Sequence, residues 1–103
     1  MKHTVVHGLG REQAKKVTEA AWQSYSARFS EYSPTVTWTN DYAAKIGFKA
    51  KGISISGDIE VNEKDIGIDL DVPFLLKPFK NTAIKVIEEE IQKWIAKSKA
   101  GQI

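Results

Sequence analysis

The sequence has no cysteine. That excludes disulfide staples, thiolate metal sites and thiol catalysis. It also has no apolar stretch near the roughly 20 residues that a membrane-spanning helix needs. Its opening, MKHTVVHGLGREQ, lacks an apolar run long enough for a signal-peptide core. Its ending, KSKAGQI, carries no sorting or lipidation signal. A soluble protein of the cytoplasm is the expectation. Internal repeats, linkers and low-complexity segments are missing too. Neither sign of charge dominates. The net charge is +2, too small to imply a nucleic-acid partner.

What is present fits one globular domain spanning residues 1–103. Hydrophobic residues make up 42% and charged residues 27%, a balance that supports a packed core rather than disorder. A chain of this length buries roughly 60–70% of the surface its unfolded form exposes. The charges are segregated. Residues 1–28 and 77–103 each carry +3, and residues 29–76 carry −4. Differently charged solvated faces account for that pattern.

Periodicity divides the chain into seven elements. Lys2–His7 is a β-prone run ended by Gly8 and Gly10. From Arg11 to Tyr32, residues Ala14, Val17, Ala21, Tyr25, Phe29 and Tyr32 share one helical face, with Trp22 at its border. Ser33–Pro34 stops that helix. Thr35–Thr39 alternates, with Val36 and Trp38 on one side, and Asn40–Asp41 is a turn. Tyr42–Ala50, Ile53–Val61 and Ile66–Val72 alternate strictly and predict strands with one wet face. A last helix over 81–99 has Ile84, Ile87, Ile91, Trp94 and Ile95 as its core stripe. The fold class is therefore α+β: a two-layer β-α-β-β-β-β-α arrangement, an antiparallel sheet with both helices on one face.

The turns fix a register. A two-residue loop at Lys51–Gly52 pairs Phe48 with Ile55 and Lys45 with Asp58. A turn at Asn62–Asp65 pairs Ile59 with Ile68 and Asp58 with Asp69. Gly57 then lies between Ile46 and Leu70 on the buried face, where an aromatic such as Trp22 or Trp94 could press against the sheet.

Candidate chemistry is sparse. His3 and His7 face the same side of a strand roughly 13 Å apart, too far to share one ion, and read as surface histidines. No metal or other cofactor is expected. Asp58, Glu60, Asp69 and Asp71 cluster on the wet face. Paired carboxylates can act as acid and base or bind a hard cation, but catalysis needs a recess that an open sheet face does not supply. These residues read as a solvated face with Lys45 as cross-strand partner of Asp58. A second copy of the chain, through its basic helices, is a candidate partner for that face. Gly8-Leu9-Gly10 lacks the rest of either nucleotide-binding fingerprint and serves to turn strand into helix. Lys80, Lys85, Lys93, Lys97 and Lys99 make the last helix basic, but Glu88–Glu90 blunt the field, and Glu89 stands at ion-pair spacing from Lys93. Nucleic-acid binding is not expected, and no residue is assigned a catalytic role.

The segment Phe74, Leu75, Leu76, Lys77, Pro78, Phe79, Lys80 is apolar for a loop. It either caps the core or presents an apolar, basic knuckle. FLLKPFK followed by IKVIEEEIQKWI resembles the C-terminal signature of the polyhydroxyalkanoic acid system protein family. The N-terminal strand ending in His7, with Leu9 and then a helix containing Ala14, is similar as well, as is the run from Gly52 through Gly57 to Val61. The resemblance implies a bacterial, non-enzymatic accessory protein of polyhydroxyalkanoate storage granules. The FLLKPFK residues 74–80 are then the contact to the granule surface or to a granule protein. Two other readings stand beside it: a small lipophilic-ligand carrier with a pocket near Gly57, and a nucleic-acid or anionic-partner module using the basic helices.

Overall fold

The computed structural model describes residues 2–50, 52–73, 77–78 and 80–103; the side chains of Ala50 and Lys80 lie outside that description. Strand β1 (Lys2–Val6) leads through Gly8 and Gly10, both at positive φ, into helix α1 (Arg11–Arg28). Four strands follow: β2 (Thr35–Asn40), β3 (Ala43–Ala50), β4 (Ile53–Val61) and β5 (Asp65–Asp71). Helix α2 (Lys80–Lys99) closes the order. The sheet is antiparallel throughout, with strand order β1-β5-β4-β3-β2. The expected α+β architecture is therefore the observed one.

The register is the one the turns dictate. Phe48 pairs with Ile55, Lys45 with Asp58, Ile59 with Ile68 and Asp58 with Asp69. Gly57 sits between Ile46 and Leu70. Gly52 adopts φ 78° at the β3–β4 hairpin, a conformation glycine takes without steric cost; Lys51 lies outside the described residues. The β4–β5 turn closes with the Asn62 amide donating to the Asp65 carbonyl at 2.8 Å and the Asn62 side-chain amide donating to the Asp65 carboxylate at 2.9 Å.

The alternation sorts the sheet as expected. Ala44, Ile46, Phe48, Ile55, Ile59, Val61, Ile66, Ile68 and Leu70 are buried. All of these except Ala44 and Val61 form one cluster with Val17, Ala21, Trp22 and Tyr25 of α1 and Ile84, Ile87, Ile91 and Ile95 of α2. The space at Gly57, however, is closed by the neighbouring strand, not by an indole. A Cβ there would stand 2.7 Å from both the Leu70 Cδ2 and the Asp69 carbonyl oxygen. Trp22 is buried between the helices and Trp94 is half-buried at their margin.

The end of the first helix and the burial of the sheet edge differ from the sequence reading. The first helix stops at Arg28, and residues Ser30–Tyr32 tighten into a 3-10 turn. Ser33 then steps into the left-handed region at φ 49° before Pro34. Phe29 is therefore half-buried and Tyr32 exposed, instead of both completing the core stripe. At the sheet edge the inward side of β2 outruns the helices, so Val36 is 39% exposed.

The two histidines do share a face, but His7 is not a surface residue. It is 1% exposed. The Leu9 amide donates to Nδ1 at 3.0 Å, which leaves Nε2 as the donor to the Asn62 carbonyl at 2.9 Å. The His7 amide donates to the Lys64 carbonyl. One residue thus ties the end of β1, the entry to α1 and the β4–β5 turn together. Arg11 adds a second tie: Nε donates to the Val61 carbonyl at 3.1 Å while the guanidinium lies 4.0 Å from the Tyr42 ring centre.

Candidate functional site

Two regions of the sequence offered chemistry, and the fold separates them. The first is the connection between β5 and α2. Val72 leaves the sheet partly buried against the core, and Pro73 follows half-buried. Lys77 and Pro78 form part of a short 3-10 turn and are exposed. Phe74, Leu75, Leu76 and Phe79, together with the Lys80 side chain, lie outside the described residues. Of the seven proposed contact residues, the structure therefore places Lys77 and Pro78 at the surface and the Lys80 backbone at the start of α2.

The second region is the outer sheet face. Strand register aligns Thr37, Lys45, Asp58, Asp69 and Lys2 in one row across all five strands. Glu60, Gly67 and Thr4 form the next row. The expected Lys45–Asp58 pair forms at 3.0 Å, with both side chains well exposed, so its contribution is at most about 1 kcal/mol. The face is a layer of small polar and charged groups open to water. Among the described residues, no group of three or more His, Asp or Glu side chains is placed to hold a metal ion. No described helix is long and apolar enough to cross a membrane.

The sequence reading missed a third constellation, buried between the helices. Glu90 is 3% exposed. Arg28 Nη1 donates to its Oε2 at 2.8 Å, and Trp94 Nε1 donates to its Oε1 at 3.2 Å. Lys93 Nζ stands 3.7 Å from Oε1. Among the described residues, Lys93 therefore pairs with Glu90 three residues back, not with Glu89. Burial alone would push the Glu90 carboxyl up. Hydrogen bonds from Ser24, Trp94 and Arg28 and the charge of Lys93 outweigh it, and the carboxyl titrates below its ordinary value. Next to it, burial raises the Tyr25 hydroxyl, and Tyr32 adds to that shift. The signal for Glu90 was available: it falls three residues after Ile87 and four before Trp94, on the buried side of α2. What hid it was its place inside a run of three glutamates.

A narrow cavity of about 20 Å³ lies between this cluster and β4, lined by Trp22, Tyr25, Ile59, Glu90 and Ile91 among others. A lipophilic ligand needs roughly 300 Å³ or more. This cavity, among the described residues, is therefore too small to support the carrier reading.

Comparison with known proteins resolves the family. Residues 2–95 match the family described as "Putative polyhydroxyalkanoic acid system protein". The chain belongs to that family. The match takes in β1, α1, the whole sheet and most of α2, so the resemblance read from FLLKPFK and the His7 strand extends over nearly the full fold. No curated protein and no solved structure matches the chain.

Proposed function

We propose that the protein is a non-enzymatic accessory component of a bacterial, cytoplasmic polyhydroxyalkanoate system. It acts by binding the storage granule or a protein on its surface. The observation that carries this reading is the family match over residues 2–95. The site of contact in this proposal is the segment Phe74–Lys80. Lys77 and Pro78 are exposed there, and an apolar segment beside lysines suits the boundary between a polyester surface and water. The outer sheet face suits it poorly, because its rows are charged or hydroxylated.

Replacing Phe74 and Phe79 together by Ser tests the assignment. The expected outcome is a protein with unchanged far-ultraviolet circular dichroism that no longer sediments with granules. Loss of the folded spectrum would assign the two phenylalanines to the core, and retained binding by a folded variant would remove the segment from the interface.

A further inference from the structure

Each edge of a sheet offers a row of backbone N–H and C=O groups to other chains, and proteins guard such rows with charge, proline or a covering element. The β1 edge is guarded. It opens on Lys2, and His3 Nε2 lies 2.7 Å from Glu88 Oε1 of α2. The β2 edge is not. Among the described residues, β2 pairs with β3 alone. It is exposed along its length except at half-buried Trp38, and it carries no charged residue. Its pairing with β3 is regular from Thr35 to Trp38 and shifts only beyond, between Trp38 and Asn40.

The strand's own sequence selects the partner. Thr35-Val36-Thr37-Trp38-Thr39 reads nearly the same in both directions. Two copies run antiparallel about Thr37 place Thr37 opposite itself and Val36 opposite Trp38 on either side of it. The centre of that ladder is a threonine pair on the wet face, flanked by two aromatic–β-branched pairs on the helix side. Both kinds of pair are favourable across strands. The helix side also has apolar surface left to bury. Val36 is 39% exposed and Trp38 half-buried, although they pair with the buried Ile46 and Ala44 of β3. Charge suits a copy as well. A second chain brings the same charges as the first, and β2 contributes none. The lysines beside it are engaged, Lys45 by Asp58 at 3.0 Å and Lys15 over the Trp38 ring, 5.1 Å from its centre. We propose that the β2 edge is a homodimer interface, in which two sheets join antiparallel into one about a two-fold axis at Thr37. The contact is self-complementary and closes at two subunits, because the edges left outside are the guarded β1 strands. One strand pair lies at the small end of specific interfaces, so the dimer forms at micromolar rather than nanomolar concentration.

The test is sedimentation equilibrium of the whole protein from low micromolar to millimolar concentration. The expected mass rises to twice that of the chain and no further. Thr37→Glu sets two glutamates directly opposite at the axis, where like charges repel. Within one chain the new carboxylate stands across from Lys45. That variant is expected to stay monomeric over the same range with an unchanged far-ultraviolet circular dichroism spectrum. If it does not fold, Thr37→Cys decides. The chain has no other cysteine, and directly opposed residues of antiparallel strands have Cα atoms about 4.5–5.5 Å apart, within disulfide reach. Mild oxidation should then link two chains, whereas Thr4→Cys on β1 should stay unlinked. A wild-type chain that is monomeric throughout overturns the proposal and leaves the edge to a strand from a different protein. A dimer that survives Thr37→Glu, or a Thr37→Cys chain that does not cross-link, overturns it too.

Discussion

At the residue scale, three side-chain positions carry more than their share of the fold. His7 satisfies the Leu9 amide and the Asn62 carbonyl from a fully buried site. His7→Ala leaves both groups unpaired and opens a void. It is expected to cost about 2–4 kcal/mol, read as a lower urea midpoint at unchanged slope. Gly57 has no room for a methyl group between the Leu70 side chain and the Asp69 carbonyl. Gly57→Ala should therefore cost about 1–3 kcal/mol by overpacking, checked in the same way. Glu90 gives a pH signature. Its folded carboxyl titrates below the ordinary value, so its contribution is complete above that ordinary value. The contribution fades as pH falls through the lowered one. Wild-type stability should drop over that acid window, and Glu90→Gln should lose less there. Equal slopes for the two proteins in acid denaturation would contradict the assignment.

At the element scale, the helices are held by an apolar stripe and by the Arg28–Glu90 bond across 62 residues of sequence. Arg28→Ala removes a charge-assisted bond from a buried carboxylate and is expected to destabilise by about 1–3 kcal/mol. Lys45→Ala, by contrast, removes an exposed pair and should change stability by under 1 kcal/mol; thermal melts compare the two directly. This scale also shows what could be read in advance. The strands, and the pairing of β3 with β4 and of β4 with β5, were legible because a period of two and short turns leave a single register that buries Ile46, Ile59, Ile68 and Leu70 together; the pairing of β1 with β5 joins distant segments and was not. The exposure of Val36 was not, because alternation tells which side a residue faces and not how far a helix reaches over it. His7 escaped for a related reason: its partner Asn62 comes from a distant turn that no local pattern announces. The buried position of Glu90 was readable from its helical spacing, but its partner Arg28, on the other helix, was not.

At the scale of the whole molecule, the fold separates a polar outer sheet face from a helical layer that buries the core. Neither presents a broad apolar surface among the described residues. The proposal places the granule contact at residues 74–80, of which Lys77 and Pro78 are described and exposed. The segment drew notice by composition: Phe74, Leu75, Leu76 and Phe79 are conspicuous against the polar turns elsewhere in the sequence. Whether they touch a granule is a question of association. The decisive measurement is co-sedimentation of the purified protein with isolated polyhydroxyalkanoate granules, beside latex beads as an apolar control. The account predicts saturable binding to granules and none to beads; no binding, or equal binding to both, would contradict it.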